Sequence, residues 1–359
     1  MANSINATRR MTKVMGLDLG DRFSRYAVID GKGVVVDEGQ VATKREALEE
    51  LFGRERRLRV VIETGTHSPW VSRLVTATGH EAIVANARKV KLITSNRNKR
   101  DRVDAVYLAR LGRADIKLLH PVHHRSEQTQ QHRVWLLARD VAVATRTKLI
   151  NHVRGVVKSV GERLPRCSAE TFAGKVGPAV PPAIQSAIEP ILSVIATLTT
   201  TIRDYDKQIA ALSRKHYPMV ERFQQITGVG PITSLAYILT LEDPRRFATS
   251  RTVGAYLGLV PAAHESGEQM PQMRITKEGD VLLRRLLINS AQYILGPFGV
   301  DSDLRRHGER IAQRGGKIAK KRAVVAVARK LAVLLHKLWL TSTDYDPLYN
   351  SRRIALSVA

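Results

Sequence analysis

The sequence predicts an α/β domain at the N-terminus, an α-helical coiled-coil middle and a mainly α C-terminal domain with a helix-hairpin-helix turn. Three observations carry this expectation. Strand-length apolar runs alternate with helical stretches from Val14 to about Pro121. A run with almost no helix breakers then extends from Glu127 to Val160. Further on, Gly228, Gly230 and Pro231 separate two apolar helical runs.

In order along the chain, "VMGLDLG" (Val14 to Gly20) has the length of a buried strand, and "SRYAVID" and "GVVVDEG" follow across a turn at Gly31 to Gly33. These make a meander of three strands. "KREALEELFGRE" reads as a helix and "LRVVIET", ending near Glu63, as a strand. "SPWVSRLVTATG" is helical, with Pro69 suited to a first turn, and "EAIVANA" is a fifth strand. Three antiparallel strands followed by helix, strand, helix, strand is the order of a ribonuclease-H-like sheet.

From Glu127 to Val160 the apolar positions Val134, Leu137, Val141, Leu149, Val153, Val156 and Val160 alternate with Arg133, Arg139, Arg146, Arg154 and Lys158. This predicts a long helix with an apolar and a basic face. Gly161 to Pro182 is rich in Gly and Pro and reads as a loop, and Ala183 to His216 is helical again. The pair predicts an antiparallel hairpin that serves either in self-association or as a spacer within the chain. "FQQITGVGPITSLAYILTL" has the shape of a helix-hairpin-helix, in which Gly228 and Gly230 expose backbone N–H groups to a phosphate. The division expected is 1–122, 123–217 and 218–345, with a tail at 346–359.

Charge narrows the partner. The 359 residues hold 58 Lys and Arg against 33 acidic residues, a net charge of +25. A polyanion, and nucleic acid first, is the natural counterpart. The single cysteine, Cys167, excludes an intrachain disulfide and fits a reducing cytosol. The N-terminus shows no export signal, and Arg329, Lys330 and Lys337 interrupt the apolar stretch Ala323 to Leu340, so no membrane partner is expected.

The chemistry resides in two constellations. Asp18 sits in the first strand, Glu63 ends the fourth, and Asp101 and Asp104 lie one turn apart on a helix after the fifth. First and fourth strands are neighbours in the expected sheet, so the four carboxylates would converge. Such a cluster calls for cations, and oxygen donors suit Mg²⁺ or Mn²⁺. A plainer reading makes them surface ion pairs with Arg97, Arg100 and Arg102. The second constellation is Ser266 before Gly267, followed by Arg274, Lys277, Arg284 and Arg285, with His264 as a nearby proton acceptor. Taken alone, a serine before glycine is a turn residue.

The order Asp18, Glu63, "RDRVDA" with Asp101 and Asp104, then "ITGVGPITSLAYIL", "YLGLVPAAHESG", "RITKEGDVLLRRLL" and a basic terminal helix resembles the DEDD transposases of the insertion-sequence 110 family. The resemblance runs from about Val14 to Leu340. It implies a RuvC-like domain joined through a coiled coil to a helical transposase domain, with Mg²⁺ held at the positions matching Asp18, Glu63, Asp101 and Asp104. It implies that the serine matching Ser266 attacks DNA and becomes transiently linked to a 5′-phosphate. A structured noncoding guide RNA, the bridge RNA, and a composite site in a tetramer are further implications, as is a bacterial, nucleoid-associated location in the cytoplasm. The segment "GEQMPQM" after Ser266 is less basic than the family pattern, and Asp280 stands where asparagine is more usual. Two rivals remain at this level: a RuvC-like nuclease acting on branched DNA through metal-activated water, and a non-catalytic nucleic-acid-binding protein.

Overall fold

The computed structural model describes residues 13–90, 101–262 and 273–358, with the helix course alone at 101–102 and 354–358. The chain forms two compact units, Met1–Glu127 and Gln128–Ala359.

The first unit is a five-stranded mixed sheet with helices on both faces. Its strands are β1 (Val14–Asp18), β2 (Phe23–Ile29), β3 (Val35–Ala42), β4 (Arg59–Glu63) and β5 (Glu81–Ala85), in the spatial order β3-β2-β1-β4-β5. β1 to β3 are antiparallel, whereas β4 and β5 run parallel to β1. This agrees with the expected ribonuclease-H-like order. β3 starts later than "GVVVDEG" suggests, because Asp30 closes the preceding turn. Its Oδ1 accepts from the N–H groups of Lys32 at 2.8 Å and Val34 at 2.9 Å, which holds Val34 outside the strand.

Alternation along the strands sorts the two faces. Met15, Leu17, Val60 and Ile62 point toward α1 (Arg45–Gly53) and α2 (Ser68–Ala77), which bury Leu48, Leu51, Phe52, Val71, Leu74 and Val75 against them. Val14 and Val61 point to the other face, where Leu108 and Ala109 of α3 (Asp101–Ala114) cover them. Gly16 lies beneath α3, and a Cβ there would stand 1.9 Å from the Ala105 carbonyl oxygen and 2.6 Å from the Ala109 nitrogen. At the other end of the helix, Gly112 meets Val61 and Val14. α3 therefore runs antiparallel to β1, and its first residues lie over the C-terminal ends of β1 and β4.

The second unit is mainly helical. α4 (Glu127–Ser159) and α6 (Pro182–His216) pack antiparallel: Arg139 pairs with Asp206, Arg146 with Thr199, and Ile150 and Val153 with Ile188, Leu192 and Ile195. α6 is the one described helix with the length and apolar content of a membrane span. Its inner face packs on α4 instead. Two expectations are corrected here. The stretch between the pair is not all loop: α5 (Phe172–Val176) and a turn of 3₁₀ helix at Gly177–Ala179 bury Phe172, Val176 and Val180 against the helix ends. On α4 the buried stripe is Leu136, Ala142, Arg146, Ile150, Val153 and Val157, while Val134, Leu137 and Val141 are exposed. A helix offers more than one stripe of similar polarity, and the partner selects which is covered.

The remaining helices are α7 (Met219–Phe223), α8 (Pro231–Leu241), α9 (Thr252–Tyr256), α10 (Val281–Leu295), α11 (Asp303–Ala312), α12 (Gly316–Thr341) and α13 (Tyr349–Val358). α8 is buried almost all round. Tyr237 lies at its centre, donating to the Ala332 carbonyl at 2.6 Å, with Leu283, Leu287 and Leu335 in the same core. Asp280 caps α10 by accepting from the Leu283 N–H at 2.8 Å, and its other carboxylate oxygen pairs with Arg133, which also donates to Thr240 at 2.9 Å. Asparagine would cap the helix equally well but leave Arg133 without its counter-charge, which explains an aspartate at this position.

Two stability outcomes follow from this packing. Gly16→Val should destabilise the first unit by about 1–3 kcal/mol or more in denaturant unfolding, because the backbone of α3 leaves no room to relax. Arg133 and Asp280 are only 13% and 10% exposed, so Asp280→Ala should cost about 3–5 kcal/mol. Asp280→Asn, which keeps the cap, should cost clearly less in the same measurement.

Candidate functional site

The parallel register of β1 and β4 pairs Val14 with Arg59 and continues to Leu17 with Ile62. The next positions are Asp18 and Glu63. Both share the face of Val14 and Val61, which is the face that α3 covers. Two carboxylates are thus carried to one corner by adjacent strand ends, and both line a cleft of about 280 Å³ together with Asp21, Thr64, Thr66 and His67. Asp104 is half-buried, next to the Ala105 that sits on Gly16, and the start of α3 lies at this same corner. Asp101 begins the helix, and of the four acids its side chain is outside the described residues. Ser266 and His264 also lie outside the described residues.

Among the described residues no three His, Cys, Asp or Glu side chains group to hold a metal ion, so of the expected acids only Asp18 and Glu63 are brought together in the cleft and Asp104 is not a third member. Mg²⁺ and Mn²⁺ do not require a third: one or two carboxylates beside water and substrate phosphate suffice. Asp18 and Glu63, as oxygen donors in an open polar cleft, fit a hard divalent cation of this kind.

The rim of the cleft is held by short polar contacts. Ser68, fully buried at the start of α2, donates to the Gly65 carbonyl at 2.8 Å and accepts from the Gly65 N–H at 3.0 Å. Its hydroxyl also meets His124 Nε2 at 2.8 Å. Thr64 Oγ1 accepts from the Ala87 N–H at 3.2 Å. Burial holds the His124 imidazolium pKa below its ordinary value of 6.5, and the neighbouring charges of Arg73 and Arg125 add to the effect. Asp21, Thr66 and His67 were missed as cleft residues by sequence reasoning. The one local signal was the Gly65 turn directly after Glu63.

In the second unit the expected phosphate contacts divide. Gly228 adopts φ +91°, and a Cβ there would press on Tyr293 at 3.0 Å, so only glycine makes this turn; Gly230 opens α8 and faces open space. Arg284 is engaged internally, donating to the carbonyls of Leu257 at 3.1 Å and Glu278 at 2.7 Å, and Arg285 pairs with Asp140. Arg274 is exposed, and Lys277 adopts a left-handed φ of 57°. The two ends of the stretch that carries Ser266 are joined: the Ala262 N–H donates to Arg274 O at 2.9 Å and the Thr276 N–H to Val260 O at 3.0 Å. Of the expected basic face of α4, Lys158 stays exposed, while the four arginines are turned to internal use. Arg133 pairs with Asp280, Arg139 with Asp206, Arg146 is buried beside Thr199, and Arg154 lies 5.1 Å over the Phe172 ring. By contrast, Lys317, Lys320, Lys321, Arg322, Arg329 and Lys330 on α12 are exposed.

Family models match both units. Residues 15–161 match a model described as a transposase, of the DEDD type of insertion sequence 110, and residues 220–299 match one described as "Transposase IS116/IS110/IS902 family". The chain belongs to the IS110 family of transposases. Relatives extend the likeness over most of the chain. The transposase for insertion sequence element IS1111A of Coxiella burnetii is 27% identical, covering 93% of this chain and 91% of its own. A probable family 20 transposase of Pseudomonas aeruginosa is 28% identical, covering 93% and 98%. A transposase for insertion sequence element IS1328 of Yersinia enterocolitica is 25% identical, covering 65% and 70%. The family model over residues 15–161 spans Asp18, Glu63, Asp101 and Asp104 of this transposase, and with them the whole cleft.

The depressed pKa of His124 sets a pH dependence. Between its folded value and 6.5 the unfolded chain binds the extra proton, so the stability linked to the neutral ring is complete above about pH 6.5 and is lost as pH falls through the folded value. The melting temperature should therefore drop from pH 7.5 to 5.5 by more in the wild type than in His124→Gln, whose amide retains a partner for Ser68.

Proposed function

We propose that the protein is a DNA transposase that cuts and rejoins strands through a transient 5′-phosphoserine at Ser266, with Asp18, Glu63, Asp101 and Asp104 holding Mg²⁺ or Mn²⁺. The observation that carries the reading is the placement of Asp18 and Glu63 in one cleft by adjacent parallel strands, in a chain of a DNA-transposing family. A divalent cation bound there would neutralise charge on the phosphodiester and polarise it toward attack. In the step itself the Ser266 oxygen bonds to phosphorus, the bond from phosphorus to the 3′ oxygen breaks, and the serine proton is passed on as the departing oxygen takes one up. The number of phosphoester bonds is conserved, so rejoining requires no ATP.

The finer assignments belong to the same proposal. The parts 1–122, 123–217 and 218–345 act as the metal-binding DEDD domain, a coiled-coil linker and oligomerisation region, and a transposase domain that carries the helix-hairpin-helix and the catalytic Ser266, with 346–359 as a tail. The paired helices α4 and α6 act as a coiled coil whose exposed Val134, Leu137 and Val141 contact another copy in a dimer or tetramer. The Gly228 to Gly230 turn acts as a helix-hairpin-helix on DNA phosphates, aided by Arg274, Lys277 and the exposed cations of α12. For Arg284 and Arg285 a phosphate contact would add to the internal bonds they already make. A structured guide RNA selects the DNA, and the protein acts in the cytoplasm.

The test is covalent trapping on end-labelled DNA carrying the element junction, with the co-purifying RNA and Mg²⁺. A protein-DNA adduct mapped to Ser266 is expected from the wild type. It should be absent in Ser266→Ala and reduced at least ~1,000-fold in Asp18→Ala or Glu63→Ala. Cleavage that proceeds without an adduct and is unchanged by Ser266→Ala would make the protein a metal-dependent nuclease instead.

A further inference from the structure

His67 is the residue just before α2, and it lines the cleft that Asp18 and Glu63 share. Its two ring nitrogens are not equivalent. Nδ1 accepts a hydrogen bond from the Trp70 indole nitrogen at 3.1 Å. An indole nitrogen only donates, so Nδ1 keeps its lone pair and the ring proton is on Nε2. The two rings stand edge to face, 85° apart at 6.1 Å, which fixes the plane of the imidazole. Nε2 is 3.7 Å from the Asp21 carboxylate, beyond hydrogen-bond length, and Asp21 is 94% exposed. The result is an oriented N–H donor whose acceptor position in the cleft is not taken by Asp21.

In this tautomer Nε2 has no lone pair for a cation. In a cleft whose carboxylates serve the cation, an N–H donor is complementary to an anionic oxygen. The geometry points to His67 as a substrate contact: Nε2–H donates to a non-bridging oxygen of the phosphodiester lying over Asp18 and Glu63, and Trp70 is the positioning residue that sets the tautomer. This rests on the strand-cutting function proposed above, but not on the identity of the nucleophile.

The experiment uses the full chain with its co-purifying RNA, Mg²⁺ and junction DNA carrying, at the scissile position, either a normal phosphate or one of the two phosphorothioate diastereomers. Strand cleavage and covalent adduct are scored separately. With normal phosphate, His67→Ala should cut about 10- to 100-fold more slowly, the loss expected for one hydrogen bond to a charged group. His67→Gln, which restores an N–H donor, should recover most of the rate. Trp70→Phe should fall between them with its fold intact by melting temperature. One diastereomer should slow the wild type but leave His67→Ala no slower than it already is, because the bond that sulfur weakens is gone; a purely structural role for His67 would not produce this.

Equal sulfur effects in wild type and His67→Ala, or an unchanged rate in His67→Ala, would overturn the assignment. Cleavage without a Ser266 adduct would remove the serine mechanism while the His67 comparison still stands. A wild type that neither cuts nor forms an adduct would overturn both.

Discussion

The seat of α3 on β1 is the contact on which the candidate site depends. Gly16 leaves the strand bare where the helix crosses it, so the helix backbone comes closer than any side chain would allow. Because Gly112 repeats this closeness at the far end, against Val61, the direction of the helix is determined as well as its distance. The first turns of α3 are thereby brought over the end of β1, although Asp104 does not line the cleft that Asp18 and Glu63 share. A single β-carbon at Gly16 would lift the helix from the strand, without touching any of the acids.

The sheet supplies the other half of the constraint. Parallel pairing of β1 with β4 places residues of equal strand depth side by side, and strand alternation turns Asp18 and Glu63 to the same face. Parallel strands need a crossover, and here it is made by β2, β3 and α1, all of which pack elsewhere on the sheet. The cleft therefore stands at a strand-end corner of a rigid scaffold, with His67 brought to it by the turn after Glu63.

The second unit shows how a strongly basic chain uses its charge. Four arginines on α4 are partners for Asp280, Asp206, Thr199 and Phe172. An arginine can bury its stem and still reach a carboxylate or a ring face, which suits it to join helices. Cations left open to a polyanion include Lys317, Lys320, Lys321, Arg322, Arg329 and Lys330 on α12, together with Lys148 and Lys158 on α4 and Arg203, Lys207, Arg214 and Lys215 on α6.

Taken alone, the sequence determined the strand order, the helical second half, the spacing of Asp18, Glu63 and Asp104, and the glycine turn at Gly228. These depend on local periodicity and backbone freedom, which each segment carries in its own residues. Tertiary structure decided which stripe of α4 is covered, that Phe172 and Val176 fold into a helix inside an apparent loop, and that Arg284 bonds carbonyls. It also brought Asp18 and Asp21 beside Glu63 and His67, which come much later in the sequence. Those outcomes depend on partners far away in the chain. A residue's own neighbourhood in sequence gives its polarity and period, but which of several equivalent faces is buried is settled only when another surface packs on it.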